Sequence, residues 1–206
     1  MILFGFLVLI LSVIFTAQPI AAERSADEVL LALREGGLVI YWRHAHTDRT
    51  QRDRRPLNYD DCSAQRNLST QGREDARLVG EAIRELGVPI GELYSSPYCR
   101  CIDTADLAFT DITAIVDPRL SYILGEKPAK RDVNTAFLNQ LLAQPVPAGN
   151  RVIVSHTANL KESTGFWPDQ EGLMVVFEPS AVPELFGELS PADWARLAAA
   201  GIEGDL

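Results

Sequence analysis

Histidine and cysteine are scarce in this chain, with three of each in 206 residues. That scarcity narrows the metal and thiol chemistries open to it. Cys62, Cys99 and Cys101 form no C-x-x-C pair, so neither a zinc ribbon nor a thioredoxin-like motif is available. A phosphatase loop of the Cys-x5-Arg type needs arginine six residues after a cysteine, and those positions hold Leu68, Ala105 and Leu107. There is no G-x-S-x-G elbow and no Walker loop, which leaves serine-hydrolase and P-loop mechanisms without support. Internal repeats, low-complexity tracts and long linkers are missing too. An excess of positive charge is also lacking: the net charge of −9 argues against a nucleic-acid binder, which needs a basic surface. It does not exclude a small phosphorylated substrate, because the stretch DRTQRDRR (48–55) is locally cationic.

What the chain does have begins with an apolar N-terminus. MILFGFLVLILSVIF is followed by TAQPIAAERSA, with small residues at Ala21 and Ala22. Residues 1–22 are therefore expected to be a secretory signal peptide cut near Ala22, leaving one domain over 23–206. The alternative is an uncleaved membrane anchor through residues 2–16, since no Lys or Arg precedes the run and the run nearly suffices to span. Either way the domain is expected outside the cytoplasm, in the periplasm or beyond.

The rest alternates strand and helix patterns. Ser25 with Glu28 fits a capping box opening the helix ADEVLLALRE, which Gly36-Gly37 ends. LVIYW reads as a buried strand that delivers Arg43 and His44 at its C-terminal end. REDARLVGEAIREL places Ala76, Val79, Ile83 and Leu86 at helical spacing, with Gly87 as its stop. ELYSS, TAIVD and RVIVSH read as strands, and GLMVVFEP as the last one. PYCRCIDTADLAF, VNTAFLNQLLAQ and SPADWARLAAAG read as helices, the last capped by Ser190 with Pro191 at its first position. This order predicts an α/β fold, a mostly parallel central sheet covered by helices on both faces. Ligands in such sheets bind beyond the carboxyl ends of the strands. Arg43, His44 and His156 all fall there, and Arg100 lies just past ELYSS.

Two histidines stand at His44 and His46, in the H-x-H spacing of some metal sites, and His156 offers a third ligand. No cluster of carboxylates or cysteines supplies a fourth, so no metal and no cofactor is expected. Two arginines and two histidines on three strand ends suit phosphoryl transfer instead. A neutral imidazole attacks phosphorus and guanidinium groups neutralise the phosphoryl oxygens. Nearby arginines should also lower the imidazole pKa and keep it nucleophilic.

At this point the chain resembles the histidine phosphatase superfamily, with its phosphoglycerate mutase-like fold. YWRHAHTD looks like the strand-borne R-H-G motif, and RNLSTQGREDARLVGEAI is similar to the family's L-T-x-x-G-x-x-Q-A helix start. LYSSPYCRCIDTA resembles SSP-x-x-R-x-x-x-T-A, and VIVSHTANL resembles the strand carrying the second histidine. The resemblance implies a three-layer α/β/α sandwich and a metal-independent phosphomonoesterase. It makes His44 the phospho-accepting nucleophile, with Arg43, Arg100 and His156 as the phosphate pocket and Thr47 as an additional phosphate ligand. His46 becomes a neighbour on the rim. The implied partner is a phosphorylated small molecule or an envelope phosphoester. A phosphomutase or phosphotransferase, and an inactive phosphate-binding protein on the same fold, are the competing readings.

The departures from the family pattern matter. Ala45 stands where glycine is usual, Thr157 where the acid phosphatase branch has aspartate, and Tyr122 where the mutase branch has glutamate. Both customary proton donors are therefore missing. Glu171 is the expected substitute, with Glu126 and Asp48 as rivals. Arg49, Arg52, Arg54 and Arg55 would favour a polyanionic substrate if their loop orders over the pocket. The connection from Arg49 to Ser63 is too short for a cap domain, which implies an open pocket. A Cys62–Cys99 bond would pin that loop to the turn bearing Arg100; a Cys62–Cys101 bond, or three reduced thiols, are the other arrangements.

Overall fold

The computed structural model describes residues 24–204, and the expected leader (1–22) lies outside them. Six strands form one sheet in the order β3-β2-β4-β1-β5-β6. The strands are β1 (Val39–Arg43), β2 (Ile90–Ser95), β3 (Ile115–Val116), β4 (Asn150–Ser155), β5 (Met174–Glu178) and β6 (Glu184–Leu189). The pairs β3–β2, β2–β4 and β4–β1 are parallel, whereas β5 is antiparallel to both β1 and β6. Only β5 therefore runs against the rest, and the sheet is mostly parallel as expected.

Side-chain alternation along β1 builds the two outer layers. Ile40 and Trp42 face a core shared with α1 (Ala26–Glu35), α2 (Thr70–Glu85), α3 (Cys99–Ala108) and α6 (Pro191–Gly204). Val39 and Tyr41 face the other core, with α4 (Pro128–Ala143) and α5 (Thr157–Thr164). Period-2 alternation in a strand buried on both sides makes a three-layer sandwich out of one apolar run. At the ends of the helices the caps read from the sequence are present: Ser25 and Glu28 form a reciprocal capping box, and Ser190 exchanges hydrogen bonds with Asp193. Gly87, at φ 68°, supplies the left-handed turn after α2.

Four elements differ from the sequence expectation. GLMVVFEP is not the last strand, because β6 follows it and pairs with β5. ELFGEL was not read as a strand because half of it faces water; within it only Gly187 and Leu189 are buried. Helix α5 also went unread. Its eight residues, TANLKEST, bury only its first turn (Thr157, Ala158, Asn159 and Leu160) and show no sustained 3.6-residue pattern. TAIVD shrinks to a two-residue edge strand, both residues exposed. Helix α2 starts at Thr70, capped by Ser69, which accepts from Gly72 N.

Close backbone contacts hold α2 in place. A Cβ on Gly80 would lie 2.1 Å from Ala108 O, so α2 and α3 touch there without side chains between them. Replacing glycine by alanine inside a helix gains about 1 kcal/mol of propensity. Here the backbone of α3 must give way, and overpacking a fitted contact costs about 1–3 kcal/mol or more. Gly80→Ala is expected to lower the unfolding free energy in urea by a net 1–2 kcal/mol or so. Glu81→Ala, exposed on the same helix, should change it by less than about 0.5 kcal/mol.

Candidate active site

Register brings three strand ends together. Arg43 closes β1 opposite Ser155 of β4, and Ser95 of β2 sits opposite Val154. The ladder continues one step past the strands, as His44 N donates to Ser155 O at 3.1 Å and Ser96 N to Val154 O at 2.9 Å. His44 and His156 thus emerge side by side, with ring centroids 5.5 Å apart. Arg100, in the first turn of α3, closes the third side.

These residues line one pocket of about 160 Å³. Arg43, His44, Arg100 and His156, all expected from the sequence, form its floor and walls together with Arg66, Asp53, Tyr122, Thr157 and Trp167. Thr47 and Glu171 are not among the lining residues. They bind each other instead: the Glu171 carboxylate accepts from Thr47 N at 2.9 Å and from Thr47 Oγ1 at 3.0 and 3.1 Å. Glu171 also stands 3.6 Å from Arg43 Nη2 and 3.8 Å from Arg66 Nη2. It is a buried counter-ion beside the pocket. Of its rivals, Glu126 pairs with Lys130, and Asp48 bonds Thr50 and Gln51. Neither lines the pocket.

Each functional side chain is held by a specific contact. His44 Nδ1 lies 3.0 Å from Ala45 O, an acceptor, so Nδ1 carries the ring proton and Nε2 keeps its lone pair. Arg43 Nη1 donates to Pro168 O at 2.8 Å and to Asp169 O. Arg100 Nη1 donates to Asp53 at 3.1 and 3.3 Å, and to Arg66 O at 3.3 Å. The Nε groups of Arg43 and Arg100 are buried without a hydrogen-bond partner. Unpaired buried donors cost about 1–3 kcal/mol each, an expense an anionic ligand relieves. His156 is packed edge-on by Tyr98 and Tyr122, and its Nε2 lies 2.8 Å from Ser96 Oγ.

Ala45 fits in place of the usual glycine. It has no positive φ, its methyl is buried in the core, and its N–H donates to Thr104 Oγ1 at 3.1 Å. His46 turns away and pairs with Asp75 at 2.9 Å, so the H-x-H spacing does not converge. Among the described residues, no group of three His, Cys, Asp or Glu side chains could hold a metal. The glycine of the α2 motif also finds its reason: a Cβ on Gly72 would lie 2.0 Å from His46 O, where α2 abuts the histidine loop.

The loop after β1 is tied down over the site. Cys62 and Cys99 form a disulfide, leaving Cys101 free and buried. Gln65 Oε1 accepts from Cys99 N, and Asp53 Oδ1 from Arg66 N at 2.9 Å. Arg49, Arg52, Arg54 and Arg55 are exposed, and none lines the pocket. The sequence reading missed Asp53, Arg66 and Trp167. For Arg66 a signal existed, its place immediately before the Asn-Leu-Ser that caps α2. Trp167 and Asp53 sit on irregular segments with no pattern to mark them.

A family model described as the histidine phosphatase superfamily (branch 1) matches residues 39–124. No curated protein matches the chain significantly. Among solved structures, the protein histidine phosphatase SixA complexed with tungstate is 18% identical with a TM-score of 0.53, covering 76% of this chain and 98% of its own. Phosphoserine phosphatase from Entamoeba histolytica, in complex with 3-phosphoglyceric acid, is 17% identical with a TM-score of 0.56 and covers 76% and 98%. A candidate alpha-ribazole-5'-P phosphatase from Escherichia coli K-12 is 15% identical with a TM-score of 0.58 and the same coverage. The class is thus a phosphoglycerate mutase-like α/β fold. The family match is a likeness to the histidine phosphatase superfamily over the segment that carries Arg43, His44, Arg66 and Arg100, and the neighbours show the fold.

Electrostatics sets the state of both histidines. Burial, then Arg100, drives His44 well below the ordinary 6.5; Arg43 and Arg66 add to this, and the bond to Ala45 O opposes it. Burial, Arg100 and His44 itself depress His156 likewise. With folded-state values depressed, the unfolded chain binds more protons below about pH 6.5, so stability falls on acidification. Each imidazole accounts for on the order of 1 kcal/mol at about pH 5.5. Denaturant melts should therefore show lower stability at about pH 5.5 than at about pH 7.5, by on the order of 2 kcal/mol, with a smaller loss in His44→Ala; equal stability at both pH values contradicts the burial argument. Separately, the disulfide closes a loop with a sequence separation of 37. Cys62→Ser is expected to cost about 2–4 kcal/mol in the same melts.

Proposed function

We propose that the chain hydrolyses phosphomonoesters through a phosphohistidine intermediate on His44, without a metal ion. One observation carries this reading: a neutral His44, its Nδ1 committed to Ala45 O, shares a single pocket with three guanidinium groups and His156. His44 Nε2 attacks phosphorus, the N–P bond forms, and the ester P–O bond breaks with the alcohol departing. Water then attacks phosphorus, the N–P electron pair returns to the imidazole, and inorganic phosphate leaves. Arg43, Arg66 and Arg100 neutralise the phosphoryl oxygens, Arg supplying forked donors that a lysine lacks. His156 hydrogen-bonds a phosphoryl oxygen from the opposite side. Glu171 positions Arg43 and Thr47 rather than donating the leaving-group proton, because it does not line the pocket.

The same proposal places the protein outside the cytoplasm, in the periplasm or beyond. The apolar leader supports this, as does the Cys62–Cys99 bond, since structural disulfides persist in oxidising compartments. The substrate is a phosphorylated small molecule or an envelope phosphoester. Trp167, half exposed on the pocket wall, gives an apolar surface for its leaving group.

Purified protein incubated with EDTA and p-nitrophenyl phosphate should turn over and yield an acid-labile, base-stable phosphoprotein. Both signals should disappear in His44→Ala, with turnover down about 10³-fold or more. Turnover that requires added metal contradicts the mechanism. Transfer of the phosphoryl group to an added alcohol in preference to water favours a phosphotransferase. No turnover on a broad phosphate panel favours a phosphate-binding protein.

A further inference from the structure

The pocket contains a carboxylate that the sequence motifs do not mark. We propose that Asp53 is the proton-transfer residue of this site, the group that replaces the two donors missing at Tyr122 and Thr157. The inference rests on the phosphohistidine reading above.

Three observations support it. First, Asp53 is the one acidic residue lining the pocket among the described residues, where it joins His44, Arg100 and His156. Second, its carboxylate is aimed by the fold: Oδ1 accepts from Arg66 N at 2.9 Å and from Arg100 Nη1 at 3.1 Å. The loop that carries it is itself anchored, by Arg54 N donating to Ala64 O at 2.8 Å and by the Cys62–Cys99 bond. Third, Arg100 retains a buried, unpartnered Nε while Nη1 holds Asp53. A phosphoryl group bound to the same guanidinium therefore lies beside Asp53, within hydrogen-bond reach or one water away. The carboxylates first expected to act here do not have that position: Glu171, Asp48 and Glu126 do not line the pocket.

The proton cycle closes. In the first step His44 Nε2 forms the bond to phosphorus, the ester P–O bond breaks, and the leaving oxygen takes a proton from the Asp53 carboxyl. The substrate brings that proton in as the phosphoryl monoanion. In the second step the Asp53 carboxylate takes a proton from the attacking water, the P–O bond forms, and the N–P pair returns to His44. That proton leaves with the inorganic phosphate as its monoanion, and Asp53 is a carboxylate again when the next phosphoryl monoanion arrives.

The test is leaving-group dependence. General acid–base groups contribute about 10²–10⁴-fold to rate. In Asp53→Asn, kcat/KM on an alkyl phosphate should fall by that amount, and at least ten times more than the first-step rate on p-nitrophenyl phosphate, whose leaving group needs no proton. With p-nitrophenyl phosphate the variant should release about one equivalent of nitrophenol in a burst and accumulate phospho-His44, because water activation is lost too. Asp53→Glu, which keeps the carboxylate, should recover ten-fold or more of the loss on the alkyl ester. A positioning role for Asp53 moves neither the burst nor the leaving-group dependence. Equal losses on both esters without phosphoenzyme, in folded Asp53→Asn and with no recovery in Asp53→Glu, overturn the assignment while leaving the phosphohistidine reading intact. A wild-type protein that neither turns over nor labels overturns both.

Discussion

An imidazole buried beside three guanidinium groups cannot readily hold a second proton, and the rest of the site depends on that constraint. Burial and Arg100 together depress His44, and the same groups depress His156. The hydrogen bond from Nδ1 to Ala45 O fixes the tautomer. What remains is a neutral ring with one free lone pair in a strongly cationic pocket, the state in which histidine is a nucleophile rather than a cation. The strand ends exist in this design to deliver that ring: β1, β2 and β4 end in register, and Arg43, His44, Ser96 and His156 follow directly.

Three arginines in so small a volume repel one another, and the fold answers with two carboxylates of different character. Glu171 is buried, doubly bonded to Thr47 and close to Arg43 and Arg66, a permanent counter-charge. Asp53 lies on the pocket wall against Arg100, on a loop locked by the disulfide and by Gln65. Buried pairs of this kind contribute little net stability, because desolvation offsets their attraction. The pairs also keep the guanidinium groups oriented while leaving the Nε donors of Arg43 and Arg100 unspent.

Much of this was legible in the sequence because strand ends are marked by apolar runs. LVIYW and RVIVSH locate His44 and His156, and the SSP turn locates Arg100; the three-layer fold follows from the same alternation. The less legible parts share a physical cause. β6 is an edge strand with one face in water, and α5 buries only its first turn, so neither carries a full hydrophobic period. Asp53 and Arg66 reach the pocket through loop hydrogen bonds and a disulfide, long-range contacts with no local pattern. Glu171 was expected as the proton donor from its place at the entry to GLMVVF, but it does not line the pocket, because it bonds Thr47 and faces Arg43 and Arg66, contacts that no local pattern marks. The run of exposed arginines drew attention by composition, whereas the single arginine that lines the pocket from this region, Arg66, lies beyond it.

The most direct test of the account is a pH titration of the His44 ring by nitrogen NMR in the ligand-free protein. The account predicts a neutral ring protonated at Nδ1, with a midpoint well below the ordinary 6.5. A midpoint at or above that value, or a ring protonated at Nε2, would contradict it.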